Sequence, residues 1–403
     1  MVRALNIKFL WILTFLLVLI FPQKLFSKTK QTIKLGVLLP FTGYLSEIAK
    51  TNLEGIQLAV EEINKLEKLK HADNYNYYEI VLGDTKADPA LGNLEMYRLA
   101  KEGVLVVLGA YQSSVTYSTT AIAEKLKIPY FIPAALVDNI TERDFNYVFR
   151  IVCKLSDYAK TQFLFLKDND LLNTPSRARV ALVHEDSYFG QMASNAQKKF
   201  SKQFNVNIVL DISYSATRND LDDVVNQLIA ANPSIVLLTS YLHDSALLSR
   251  TMYRKKYTSP LILATGAGPK DPMFLKLSQN TAENWFVINE WSSDMKKKGM
   301  DEFRKKFNNR FKHDPDGIAV MNYVSTWTIK EAIDHSDRKS REQIQKALKQ
   351  IVMKNHASNL LPLGRVALDE SGNGEFVPIV TQIIDGKYWT VWPKALSSRK
   401  PEL

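Results

Sequence analysis

Apolar and polar positions alternate between two periods along most of the chain. Ile33–Leu39 is an apolar run closed by Pro40 and Gly43. Behind it Leu53, Ile56, Val60 and Ile63 recur at spacings of three and four, one face of a helix. Tyr78–Leu82 predicts the next strand, and Pro89 opens a helix where a missing N–H costs nothing. Val104–Leu108 and Ile128–Ile132 predict two more strands, with a helix over Ser113–Lys127 between them. The pattern then restarts. Val180–Val183, Asn207–Ile212, Ile235–Leu238 and Leu261–Ala264 read as strands. Helices over Tyr188–Lys202, Leu221–Ala230 and His243–Lys256 separate them. Such alternation predicts parallel sheets covered on both faces. The fold class expected is therefore α/β, with two doubly wound parallel-sheet lobes.

Three helices, Asp301–Phe311, Gly317–His335 and Arg341–Ile351, follow the second unit. The tail, Gly364–Trp392, turns strand-like, with Asp385-Gly386 as a hairpin signal. The join Tyr147–Cys153 (YVFRIVC) is itself strand-like, which points to a short hinge rather than a loose tether. A first lobe over 32–150 and 290–363 and a second over 152–285 and 376–403 are expected.

The chain has 403 residues, of which 46% are hydrophobic and 23% charged, enough for two full cores. Arg3 and Lys8 precede Phe9–Phe21, a 13-residue run broken only by Thr14. That is short for a membrane span and fits the core of a signal peptide, so residues 1–27 are set apart from the fold. An uncleaved N-terminal anchor is the alternative. The single cysteine, Cys153, excludes an internal disulfide, and no cysteine after the apolar run could carry a lipid. A periplasmic location is expected. The formal charge of +10 comes from basic residues scattered among acids, with short runs at 296–298 and 304–306. It reads as a solvated surface, and no nucleic-acid partner is expected.

Chemistry-bearing patterns are missing. The six histidines show no HExxH or paired-ligand spacing, and with one cysteine no metal site or other cofactor is expected. There is no GxSxG elbow and no Walker A loop. His243-Asp244-Ser245 are helix neighbours that cannot face one another. Gly266-Ala267-Gly268 is a turn rather than a dinucleotide loop. Asp84 and Asp88 stand where they could stabilise a helix N-terminus. Glu61-Glu62 and Asp222-Asp223 read as solvated faces. An enzyme is not expected. What remains are small and aromatic polar residues at strand C-termini, where open α/β sheets bind ligands. The loop Gly109–Ser114 leads into a helix that Ser113 could cap, and whose free N–H groups could hold an anion. Pro133-Ala134-Ala135, Ser187-Tyr188 and Ser240-Tyr241 end other strands.

Taken in order, several stretches resemble the type I periplasmic binding proteins of the branched-chain amino acid (Leu/Ile/Val) group. They are IKLGVLLPFTGYL (33–45), EGIQLAVEEIN (54–64), DTKADPALG (84–92), VLGAYQSSVTYSTTAIAEKLKIPYFIPAA (107–135), YVFRIV (147–152), HEDSYFGQ (184–191) and PSIVLLTSYLHDSALLSRTM (233–252). The resemblance implies two lobes joined by a three-crossover hinge, closing on a small-molecule ligand that is handed to an ABC permease in the inner membrane. A flytrap that reports its ligand to a receptor or regulator is the alternative. It also implies ligand-binding roles for Ser113, with Ser114 beside it, for Ala134 and Ala135 through their backbone, and for Tyr188 and Tyr241 from the second lobe. Three departures stand out. Leu136 replaces a hydroxyl residue, Ile48 replaces an aromatic one, and the loop Thr265–Gly268 lacks the acid that pairs a ligand ammonium. A buried, unpaired ammonium costs several kcal/mol, so the expected ligand is not a plain α-amino acid but a more apolar carboxylate, amide or aromatic compound.

Overall fold

The structure is a computed structural model describing residues 31–70, 75–172, 178–257, 260–266, 268–336 and 340–403. The expected signal segment, and Ala267 of the turn, lie outside the described residues.

The first lobe is built on β1 (Gln31–Leu39), β2 (Asn76–Asp84), β3 (Val106–Gly109), β4 (Tyr130–Ile132) and β5 (Val148–Arg150), all parallel, in the order β2-β1-β3-β4-β5. Helices α1 (Ser46–Lys70), α2 (Pro89–Lys101) and α3 (Ser113–Leu126) make the crossovers. The second lobe repeats the scheme. β6 (Arg179–Glu185), β7 (Asn207–Tyr214), β8 (Ile235–Thr239), β9 (Leu261–Thr265) and β10 (Phe286–Asn289) are parallel in the order β7-β6-β8-β9-β10. Its helices are α4 (Leu155–Asp168), α5 (Tyr188–Gln203), α6 (Asp222–Ala231), α7 (Leu242–Arg254) and the short α8 (Pro272–Ser278). The central strands β3 and β8 are buried along their whole length, as their unbroken apolar runs require.

The chain passes three times between the lobes. From β5 it enters α4. From β10 it returns to α9 (Met300–Phe311), α10 (Gly317–Asp334) and α11 (Arg341–Lys349), which cover the first lobe. Past the short pair β11 (Val352–Met353) and β12 (Val366–Ala367) it crosses again to β13 (Ile379–Ile384) and β14 (Lys387–Trp392). That hairpin turns at Asp385-Gly386, both at positive φ (53° and 66°), and adds to the second sheet antiparallel to β10.

The packing of α1 against α10 depends on Gly55. A Cβ there would lie 2.1 Å from the Ala319 carbonyl oxygen. Beside this contact Asn322 donates to the Asn52 amide oxygen at 2.8 Å. Glu61 is exposed, as expected of a solvated face, whereas Glu62 is half-buried, and both tie α1 to its neighbours. Glu61 receives the Arg310 guanidinium, and Glu62 receives Lys306 and the Tyr323 hydroxyl. Asp88 does cap α2, accepting from the N–H groups of Ala90 (2.7 Å) and Leu91 (2.9 Å). Asp84 does not cap; it accepts the Thr42 hydroxyl at 2.7 Å.

The hinge is knotted at Arg150. Its side chain is fully buried and donates to the carbonyls of Leu136 (3.1 Å) and Val137 (2.8 Å), to the Thr141 hydroxyl (2.6 Å) and to Asn373 Oδ1 (2.8 Å). Its backbone pairs with Gly372 and Gly374. The first and third crossovers are therefore held by one residue. Burial pushes the guanidinium down to about 10, so it stays charged at neutral pH.

Candidate functional site

Both five-strand units have the order 2-1-3-4-5. Their switch points fall between β1 and β3 and between β6 and β8. Loops leaving β1 and β3 in the first sheet, and β6 and β8 in the second, must diverge there, which leaves a crevice at the strand C-termini. The two crevices face each other. Between them lies a narrow cavity, with about 20 Å3 of open room, lined by Tyr111, Ser113, Ala134, Leu136 and Ile318 of the first lobe and Phe189, Tyr241 and Lys270 of the second.

Three of these are aromatic. Tyr241 packs against Phe189 with ring centroids 5.8 Å apart, and faces Tyr111 across the lobe boundary at 6.5 Å. Tyr111 sits at φ 80°, turning the chain sharply between β3 and α3. Burial holds the Tyr111 and Tyr241 phenols well above their usual range, so both stay protonated. Phe189 is placed by Glu185. That carboxylate accepts from the N–H groups of Ser187 and Gly190, each at 2.7 Å, and locks the entry to α5. Gly266, at φ 104°, leaves room for the ring: a Cβ there would be 2.6 Å from Phe189 Cζ.

Ser113 is not the cap of α3. Gln112 holds that position without a side-chain cap bond, and Ser113 is the first helical residue. Its side chain is buried against the cavity, and no hydrogen bond of its hydroxyl occurs among the described residues. The helix N-terminus and this hydroxyl together offer donors to the cavity. The second lobe also offers a donor. Lys270 Nζ lies 2.7 Å from both oxygens of Glu290, with both side chains almost wholly buried.

Of the positions expected from sequence, Ser113, Ala134 and Tyr241 come together in this wall. Ala135 is buried directly behind it, and Ser114 is half-buried on α3 outside it. Tyr188 lies beside the cavity. Its hydroxyl donates to Asn139 Oδ1 at 2.6 Å and its ring meets Tyr117 edge-on at 5.5 Å, so it joins the two lobes. Leu136, where the resemblance implies a hydroxyl, is in the wall; Ile48 is buried in α1, away from it. Tyr111, Phe189, Lys270 and Ile318 were not foreseen. Tyr111 and Phe189 each adjoin a residue or loop that was, and the strand-end rule points to them equally. Lys270 carries no local signal, because its partner Glu290 is 20 residues away on another strand end.

Asp244 serves the frame, as the helix geometry predicts. It accepts from the Tyr214 hydroxyl (2.9 Å) and the Tyr241 N–H (3.2 Å), and burial pushes its carboxyl up to about 7. No group of three His, Cys, Asp or Glu side chains is placed to hold a metal among the described residues, nor is any described helix long and apolar enough to cross a membrane.

A family model described as periplasmic binding protein matches residues 32–377. The Leu/Ile/Val-binding protein homolog 7 of Brucella melitensis is 26% identical over 377 residues, spanning 90% of this chain and 92% of its own. Among solved structures, a leucine-binding protein from Thermotoga maritima superposes with a TM-score of 0.78 at 20% identity, covering 89% of this chain and 97% of its own. An ABC-transporter solute-binding protein from R. palustris in complex with benzoate gives 0.79 at 16% identity, covering 92% and 98%. At such identities these two likenesses are of fold.

Proposed function

Because this chain belongs to the periplasmic binding protein family, whose members bind solutes outside the cytoplasm and are not enzymes, we propose that it captures a small molecule between its lobes and delivers it to an ABC permease in the inner membrane. The lobes in this reading are 32–150 with 290–363, and 152–285 with 376–403. The N-terminal segment directs export to the periplasm.

The supporting observation is the cavity itself. Its wall is assembled from strand ends of both sheets, so a solute seated there touches both lobes at once. A ligand stabilises whichever arrangement it contacts more fully, and only the closed one supplies both halves of the wall. Strain-free closure needs a hinge that bends without unfolding, and Arg150 anchors two of the three crossovers at one point. The first loop carries Tyr44, whose hydroxyl accepts from Gln112 Nε2 at 3.1 Å at the cleft edge.

A thermal-shift screen of the exported chain against small organic acids, amides, amino acids and sugars tests this. A solute at a hundred times its Kd adds about 2.7 kcal/mol to the folded state and raises the melting temperature by several degrees. At least one class is expected to do so, and Tyr241→Ala, which removes one wall, abolishes the shift. Absence of any shift, or one that survives Tyr241→Ala unchanged, contradicts the reading.

A further inference from the structure

We infer that the solute is an aromatic carboxylate without an ammonium group, and that Lys270 of the second lobe is the residue that sets this preference. The inference rests on the solute-binding reading above and narrows it to a ligand class.

The wall offers three rings, three aliphatic surfaces and two polar side chains with a donor to spare. Tyr111, Phe189 and Tyr241 stand at centroid separations suited to ring packing, while Ala134, Leu136 and Ile318 close the remaining apolar sides. Both Ser113 and Lys270 present hydrogen-bond donors. An ammonium has three N–H bonds and Glu290 takes two of them, leaving one for the cavity that Lys270 lines. A desolvated donor without an acceptor is costly, so the site favours a ligand oxygen there.

Among the described residues the same wall has no carboxylate to pair with a cation, only the neutral hydroxyls of Tyr111, Ser113 and Tyr241. Both Glu290 oxygens are engaged by Lys270. Asp271 and Asp316 adjoin wall residues but cap helices, accepting from the Met273 and Ala319 N–H groups at 2.7 Å each. Burial pushes both carboxyls up, that of Asp316 to about 7, which lowers the charge of Asp316 near neutral pH. Buried acceptors nearby lack partners, among them Gln112 Oε1, Asp244 Oδ1 and the hydroxyls of Thr239 and Ser240, but none of these residues forms part of the wall. A ligand ammonium would therefore meet Lys270 rather than a carboxylate.

Calorimetry on the full exported chain compares benzoate, 4-hydroxybenzoate and phenylacetate with benzylamine, phenylalanine and leucine. At least one of the three acids is expected to bind at least tenfold more tightly than every amine-bearing compound. Tighter binding of leucine, phenylalanine or benzylamine overturns the inference, as does failure of all three acids to bind at 1 mM. The double variant Lys270→Met/Glu290→Gln removes the ion pair without leaving a lone buried charge. It is expected to weaken the acid at least tenfold; unchanged acid affinity overturns the role of Lys270. The wild-type comparison stands even if the variant folds poorly. If the chain closes on an amine, this inference fails while the solute-binding reading survives; if no solute closes it, the reading itself fails.

Discussion

Replacing Arg150 by methionine tests whether the hinge is held by the contacts seen. Methionine fills much of the stem volume, so the cavity left is small. What is lost is a set of charge-assisted hydrogen bonds to Leu136, Val137, Thr141 and Asn373. None of these acceptors is left bare. The Leu136 carbonyl keeps the Leu155 N–H at 2.8 Å, the Val137 carbonyl keeps the Ile140 N–H at 3.2 Å, and Asn373 keeps the Thr141 hydroxyl at 2.6 Å. The full penalty for orphaned groups therefore does not apply. Charged bonds contribute about 1.5–3 kcal/mol each, partly offset by no longer burying a cation, so the expected loss is about 3 kcal/mol. Urea denaturation followed by tryptophan fluorescence measures it through the midpoint. Because Leu136 belongs to the cavity wall, solute affinity should fall as well, which a surface substitution would not cause. A midpoint equal to wild type, or a stability loss under 1 kcal/mol with unchanged affinity, refutes the assignment of Arg150 as the hinge anchor.

Other consequences are as direct. Gly55→Ala places a methyl within 2.1 Å of the Ala319 carbonyl and forces α1 from α10, costing about 3 kcal/mol in the same urea assay. The Asp244 carboxyl is pushed up to about 7, so the folded state binds more protons than the unfolded chain between about pH 4 and 7. Its contribution therefore weakens as pH rises through that window and levels off above it. Asp244→Asn should flatten the stability–pH slope there by up to about 1.4 kcal/mol per unit, read from melting curves across the range. Glu185→Ala frees the N–H groups of Ser187 and Gly190 and loosens Phe189; solute affinity should drop severalfold with the secondary structure unchanged by circular dichroism.

Much of the fold is legible in the sequence because two doubly wound units need long apolar runs separated by helical periods. The turn at Asp385-Gly386 is legible for a different reason, since both residues tolerate positive φ. Less was legible where elements are short or their starts unmarked. β10 has four residues, too few for a period to show. α4 begins at Leu155 straight after the strand-like join, with no N-cap residue of the usual kind to announce it. At the site, the strand-end rule led to Ser113, Ala134 and Tyr241 because their positions follow from topology alone. It could not tell Tyr188 from Phe189, since one step along α5 turns a side chain from the lobe contact into the cavity. Ser113 looked like a cap because serine favours that position, yet the strand-to-helix turn places Gln112 there. Lys270 and Glu290 are joined only by tertiary structure.

The central claim is that one small molecule bridges two sheets and shifts the hinge toward the shut form. Small-angle X-ray scattering of the exported chain, with and without the solute that raises its melting temperature, measures that most directly. The account predicts a smaller radius of gyration with solute and a return to the larger value in the Tyr241→Ala chain. An identical scattering curve in the presence and absence of saturating solute would contradict it.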